Sequence, residues 1–252
     1  MDEERYKKEF DLFFETISQC TSLHGKLILD LCSSWGNHTG FLEKTGGEVI
    51  AVDIADFSSF FKRNIKPPFE FARMDAQQLA LQTGSIDVVF CINAFEHIPD
   101  PYRSLKEIYR VLKPNGYVFI SFIPCYHSDV GSHMSDFIPE PWAHLIYNEE
   151  EYLKKLKLET PGTDYWVNEF KNSLNRKTYK YFKELFSEFS CKGRTDKMLH
   201  FWKPCFKILV QHEWRGTHNP NSKSHTNFEI LRNLYSEDEL LFLGMYLLMK
   251  KI

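Results

Sequence analysis

Leu27-Ile-Leu-Asp-Leu-Cys-Ser-Ser-Trp-Gly-Asn-His-Thr-Gly-Phe41 is the stretch on which the fold is decided. An apolar run ends in the acid Asp30, passes through small residues, and enters a helical stretch from about Asn37. That is the strand, loop and helix of an α/β sheet, in which ligands sit at the carboxyl ends of the strands. Small loop residues let the backbone come close to such a ligand, and Gly36 permits that approach. A dinucleotide fingerprint would place G-x-G-x-x-G directly after the strand. Here only one glycine is in register, and Asp30 would repel a pyrophosphate; it suits a ligand that carries an ammonium group.

Working outward, the alternation repeats. Lys26 to Leu31, Glu48 to Val52, Phe69 to Met74, Ile86 to Ile92 and Tyr117 to Phe122 read as strands. Helical stretches near Phe57 to Arg63 and from Pro101 to Leu112 fall between them. Strands separated by helices predict a parallel sheet with right-handed crossovers and helices on both faces. Upstream, Tyr6, Phe10, Phe13, Phe14 and Ile17 recur at helical spacing and predict an amphipathic helix that caps the core. From Ile123 to about Lys203 the alternation stops, and the text is aromatic, His-rich and helical in patches, as in Glu149 to Leu158 and Tyr179 to Phe189. This predicts an inserted helical lid after the fifth strand. Phe206 to Gln211 and Leu243 to Met249, separated by the polar loop Thr217 to Thr226 and a short helix, then complete the sheet with an antiparallel edge strand. The expected divisions are a capping helix at 1–22, a core at 23–126 and 204–252, and a lid at 127–203.

The 252 residues carry a net charge of −3, which leaves no surplus of positive charge for a nucleic-acid backbone. Aromatic residues at 15%, with 22 Phe, are abundant enough to line an apolar pocket, but core packing is the plainer use for them. Cys20, Cys32, Cys91, Cys125, Cys191 and Cys205 show neither zinc-ligand nor cluster spacing and read as reduced thiols of a cytoplasmic protein. The charged N-terminal residues followed by an amphipathic segment predict neither a secretory signal nor a membrane span.

Two further strand ends carry acids. Glu48-Val-Ile-Ala-Val-Asp53 ends in a carboxylate about 20 residues after the first loop, where it can accept both hydroxyls of a ribose. Met74-Asp-Ala76 follows the third strand, and Ile86-Asp-Val-Val-Phe-Cys-Ile-Asn-Ala-Phe-Glu-His-Ile-Pro-Asp-Pro101 leads through the fourth strand to Pro114-Asn-Gly116. In this order the segments resemble class I S-adenosylmethionine-dependent methyltransferases over residues 26–122 well and 205–251 loosely. The resemblance implies a Rossmann-like core that binds S-adenosyl-L-methionine and releases S-adenosyl-L-homocysteine. It assigns cofactor contacts to Asp30, Cys32, Ser34, Gly36, Asp53, Ile54, Met74, Asp75, Ala76 and Asn93. Cys32 and Ser34 stand where the family usually has glycine.

A sulfonium methyl group is already activated, so the protein has mainly to align an acceptor and keep water away. Glu96 and His97 follow the fourth strand and can reach the acceptor. The lid adds His127, His133 and His144, which can serve as a base, as ligands of a divalent ion, or as scaffolding; the spacing fits no standard metal motif, so no metal is expected. His133 comes first as a base and His127 second. Tyr126, Trp142 and His144 are the expected substrate contacts. The aromatic lid suits a closed apolar pocket and a small-molecule acceptor. A protein or RNA acceptor, and a silent cofactor-binding regulator, are the alternatives; the oligomeric state is open.

Overall fold

The computed structural model of the protein describes residues 3–59, 70–160, 164–191, 205–217 and 225–252. The parts of the expected elements that fall at 60–63, 69, 192–203 and 218–224 lie outside the described residues.

Among the described residues, seven strands form one sheet. Leu27–Leu31 (β1), Glu48–Asp53 (β2), Glu70–Arg73 (β3), Ile86–Cys91 (β4) and Leu112–Phe122 (β5) are joined by parallel pairings. Phe206–Arg215 (β6) and Phe242–Lys251 (β7) finish it in the order β3-β2-β1-β4-β5-β7-β6. The reversed strand is β7, which pairs antiparallel with both β5 and β6. β1 is an interior strand between β2 and β4 with Ile28, Leu29, Asp30 and Leu31 all buried, which is why its sequence reads as a continuous apolar run.

Helices cover both faces. On one side Glu3–Ser18 (α1) lays Phe10, Phe13 and Ile17 against Ile28, Val88, Phe90 and Phe119, beside Leu42 of Thr39–Glu43 (α2). The Phe13 and Phe119 ring centroids are 4.6 Å apart. The other side is covered by Pro101–Val111 (α3), through Leu105 and Ile108, and by an unexpected element. Tyr179–Phe189, placed within the lid by sequence, packs Phe182, Leu185, Phe186 and Phe189 into the main core. Its Phe182 ring lies 4.3 Å from that of Phe122.

Before that helix, Ala143–Ile146 (α4), Glu149–Glu159 (α5) and Tyr165–Asn172 (α6) surround a separate small core of Met134, Ile138, Tyr152, Leu156 and Phe170. Tyr179–Phe189 is therefore α7, and His225–Leu231 (α8) and Glu237–Leu241 (α9) precede β7. Among the described residues no helix is long and apolar enough to cross a membrane. Cys191 and Cys205 form a disulfide, with Cα atoms 5.3 Å apart, so the expectation of six reduced thiols is corrected for this pair. They meet because Cys191 donates its amide to the Phe206 carbonyl at the start of β6, a contact that their 14-residue separation does not announce.

If α1 belongs to the core, Phe13→Ala, which empties a site only 2% exposed, costs about 3–5 kcal/mol. Leu12→Ala, on the 42% exposed face, costs less than about 0.5 kcal/mol. Urea unfolding of both variants checks the contrast; equal effects would detach α1 from the core.

Candidate functional site

The carboxyl ends of β1, β2, β3 and β4 open onto a cavity of about 390 Å³. Its walls include Cys32 and Ser34 after β1, Asp53 and Ile54 at β2, Met74, Asp75 and Ala76 after β3, and Asn93 after β4. Asp53 accepts the Ser34 amide on Oδ2 and the Ala55 amide on Oδ1, each at 2.9 Å, and keeps lone pairs for two more donors. Asp75 accepts the Gln77 amide at 2.8 Å and the Gln77 side chain at 3.0 Å. Ile54 is 61% exposed, an apolar side chain held at the rim. Two carboxylates and apolar walls at successive strand ends match the chemistry of a nucleoside, so the residues fit the expected cofactor. Sequence reasoning missed Phe57, Gln77, Ile98, Pro99 and Glu169 on this wall. Ile98 and Pro99 lie in the quoted β4 text, whereas Glu169 comes from α6 with no local signal.

The first loop explains how Cys and Ser replace glycine. Cys32 has φ 61° and Ser34 φ 47°, both left-handed, as is Gly36 at 74°. The backbone thus keeps a glycine-type path with two side chains added, at about 1–2 kcal/mol each. Gly36 donates its amide to Ser33 O at 2.8 Å and turns the chain towards α2, but it is not on the cavity wall. Asp30 is also off the wall. It is buried, accepts the Thr39 hydroxyl, and has its carboxyl pushed up by burial. The Cys91 thiol is pushed well up by its contact with Cys32 and by burial.

A second cavity, of about 540 Å³, shares Cys32, Ser34, Asn93 and His97 with the first. Its further walls are Asn37, His38, Glu96, His133, Ser135 and Asp136, with Tyr6 contributed by α1. The closed apolar pocket expected from the aromatic lid is thereby corrected: the lid turns His133, Ser135 and Asp136, with Val130, to this cavity, while its aromatic residues pack in its own small core, against Phe228 or in the main core. Asn93, at φ 49°, takes its place through the Ser121 hydroxyl, which accepts its amide at 3.0 Å and donates to its Oδ1 at 3.2 Å. The His97 ring donates Nδ1–H to Ser173 O at 2.9 Å, and the His133 ring donates Nε2–H to Pro124 O at 2.9 Å. The two rings meet edge to face with centroids 5.1 Å apart. Gly131 makes the loop possible, since a Cβ there would strike the Tyr126 and Cys125 carbonyls. Burial pushes the Glu96 carboxyl up to about 7 and the His133 imidazole down to about 4.

Other expected contacts are not brought to either cavity. His127 faces Glu239, with Nδ1 3.2 Å from Oε1. Glu239 is itself occupied in accepting the Tyr179 amide at the start of α7. His144 donates Nε2–H to Tyr126 O, and burial holds its imidazole down at about 4, so it is neutral scaffolding. Tyr126 packs on His144 and under Arg176, and Trp142 on Phe228. His127, Tyr126, Trp142 and His144 are set aside as site residues on this geometry.

Residues 29–120 match the family described as Methyltransferase domain. Over 120 residues the chain is 35% identical to demethylmenaquinone methyltransferase of Lactococcus lactis, covering 44% of this chain and 48% of that protein. Over 112 residues it is 28% identical to ubiquinone biosynthesis O-methyltransferase of Pseudomonas aeruginosa, covering 42% and 48%. The chain thus spans about half the length of the curated relatives it matches. Among solved structures, an S-adenosylmethionine dependent methyltransferase from Mesorhizobium loti superposes with a TM-score of 0.52 at 12% identity, over 94% of this chain and 95% of that one. The YcgJ protein of Bacillus subtilis gives 0.53 at 13% identity, over 97% and 98%. At these identities the structural likeness is one of fold.

The strained first loop yields a signed prediction. Ser34→Gly removes a left-handed cost of about 1–2 kcal/mol and returns about 0.4–1 kcal/mol of unfolded-chain entropy. The variant should gain up to about 1.6 kcal/mol, whereas Ser34→Val should lose stability because a β-branched residue resists positive φ. Thermal unfolding reads both; a destabilised Ser34→Gly would mean that the serine side chain holds the loop.

Proposed function

We propose that the protein, on the strength of the methyltransferase domain matched at residues 29–120, is a class I S-adenosylmethionine-dependent methyltransferase that methylates a small polar molecule held in the second cavity. The observation that carries this reading is the shared wall: Cys32, Ser34, Asn93 and His97 line both cavities. A ligand in one is therefore adjacent to a ligand in the other. S-adenosylmethionine, when bound, supplies a methyl group on a sulfonium, and this chain's residues bind, orient and shield.

In this reading Asp53 accepts the ribose hydroxyls, and Met74, Asp75, Ala76 and Ile54 hold the adenine. Cys32 and Ser34 lie beside the methionine portion, with Asn93 at the junction between the cavities. Asp30 and Gly36 act from behind, fixing the loop. Glu96, His97 and His133 face the acceptor. A polar wall favours an acceptor that can satisfy it, because a buried polar group left unpaired costs about 1–3 kcal/mol. The matched domain stops at residue 120, before His133, Ser135 and Asp136, so the quinone-pathway names of the relatives do not carry over to the acceptor. The balanced charge, −3 overall, supports a small molecule over a nucleic acid.

Calorimetry with S-adenosylhomocysteine is expected to show binding that Asp53→Ala weakens by about 1.5–3 kcal/mol, the worth of hydrogen bonds to a charged group. No binding at millimolar concentration would overturn the cofactor reading. Methyl transfer is then assayed on a panel of small phenols, amines and carboxylic acids, with RNA and protein acceptors in parallel. Turnover only on a macromolecule would overturn the small-molecule reading, and binding with no turnover anywhere would favour a silent regulator. Once an acceptor is in hand, His133→Ala should lower turnover by about 100-fold or more and leave S-adenosylhomocysteine affinity within about twofold. His127→Ala should leave both unchanged; a reversed ranking would move the acceptor site.

A further inference from the structure

Where the two cavities meet, three side chains from two loops converge. Glu96 and His97 follow β4, and His133 comes from the loop after β5, 36 residues on. Each offers a ligand atom, and the three atoms lie within 4.8 Å of one another. His97 Nε2 is 4.0 Å from Glu96 Oε1.

The hydrogen bonds around these side chains leave their metal-binding atoms open. His97 gives Nδ1–H to the Ser173 carbonyl, so its Nε2 keeps a lone pair. His133 gives Nε2–H to the Pro124 carbonyl, so its Nδ1 does the same. A ring N–H fixed on a backbone carbonyl, with the other nitrogen turned outward, is the outer-shell arrangement that orients metal-bound histidine. Glu96 is 3% exposed. Its Oε1 accepts the Ile123 amide at 3.2 Å, while its buried Oε2 has no hydrogen-bond partner among the described residues. An unsatisfied buried carboxylate oxygen costs free energy unless a donor or a cation meets it.

We propose that Glu96, His97 and His133 bind a divalent transition-metal cation of the zinc class on the wall of the acceptor cavity. Two imidazole nitrogens and one carboxylate oxygen are a borderline donor set, which suits Zn²⁺, Co²⁺ or Fe²⁺ better than Mg²⁺ or Ca²⁺. Bonds of about 2.0–2.2 Å place tetrahedral ligand atoms about 3.3 Å apart. Closing from the observed spacing takes less than about 1.5 Å per pair, within the reach of side-chain rotation. Three protein ligands leave a fourth position, and that position faces the cavity that Glu96, His97 and His133 line. An acceptor hydroxyl entering it would be acidified and would lose its proton to solvent. Its oxygen would then form the bond to the methyl carbon as the carbon–sulfur bond breaks, leaving a neutral thioether and a methyl ether. Binding of the cation stands on the three side chains alone; only this catalytic consequence rests on the proposed function. Regular motif spacing on one helix is absent because the ligands come from two loops, which is why the sequence gives no metal signature.

The test uses the full chain, freed of metal with EDTA and titrated with Co²⁺, whose visible absorption reports its ligands, and then with Zn²⁺ in competition. Stoichiometric binding that Zn²⁺ displaces is expected. Glu96→Gln and His133→Ala should each weaken it at least about tenfold, with circular dichroism confirming that the variants fold, and His127→Ala should leave it unchanged. His97→Ala is a second probe if Glu96→Gln fails to fold. Absent binding, binding indifferent to all three ligand variants, or an intense thiolate-to-cobalt band pointing to Cys32 or Cys91 would each overturn the proposal. Calorimetry with S-adenosylhomocysteine on the same EDTA-treated protein separates this failure from failure of the methyltransferase reading.

Discussion

The hydrogen bond from the Ser34 amide to the Asp53 carboxylate, 2.9 Å long, ties the loop after β1 to the tip of β2, and both cavities are shaped against it. Without that tie, Cys32 and Ser34 would have little reason to stay at positive φ, where each costs about 1–2 kcal/mol. A hydrogen bond to a carboxylate contributes about 1.5–3 kcal/mol. The Ser33 amide adds a second tie, to Val52 O at 3.0 Å. The two together offset the strain, so the loop keeps a glycine path without the glycines. Asp53 thus has two duties, holding the loop with Oδ2 and facing the cavity, and the sheet places it for both by pairing Leu31 with Val52.

Much of this was legible in the chain because burial leaves a periodic trace. The central strands are buried on both faces and read as unbroken apolar runs, and α1 shows its docking face in Phe10, Phe13 and Ile17. Acids at strand tips are equally plain, since a charge interrupting an apolar run has to emerge at an end. Periodicity says that a face is buried, however, and not what it is buried against. That is why α7 reads as part of a lid although its phenylalanines pack beneath the sheet. The same limit applies to the histidines. His127, His133 and His144 look alike in sequence, yet Glu239 claims the first and the Tyr126 carbonyl the third. Only the loop folded around Gly131 turns His133 to the cavity.

The second cavity, the proposed acceptor site, is built from pieces with independent support. Its floor is formed by residues after the carboxyl ends of β1, β4 and β5, one wall is Tyr6 of α1, and another is the loop carrying His133, Ser135 and Asp136. That loop is steadied by the small core of Met134, Ile138, Tyr152, Leu156 and Phe170, which shares no residue with the main core. Substitutions in this second core can therefore reshape the wall of the second cavity while the strand ends that line the first stay put. The division follows from the topology, because everything after β5 is free to vary without breaking a parallel pairing.

The aromatic surplus makes the same point from the opposite direction. Phe13, Phe90, Phe95, Phe119, Phe122 and Phe182 are all fully buried, and they stack through both layers of the fold. Phenylalanine used this way stabilises by removing large apolar areas from water and has no need of a ligand. The wall of the second cavity carries many groups that require partners, Asn37, His38, Glu96, His133 and Asp136, beside Trp35, Ile92 and Val130. A site of that kind discriminates more sharply than an apolar one. An extra methylene in an apolar pocket is worth about 1–3 kcal/mol, whereas a ligand lacking a required hydroxyl leaves buried polar groups unpaired and is rejected by factors of about 10⁴–10⁵. If the proposed reading holds, the polar wall makes the acceptor's own hydrogen-bonding groups, more than its size, the basis on which this cavity selects.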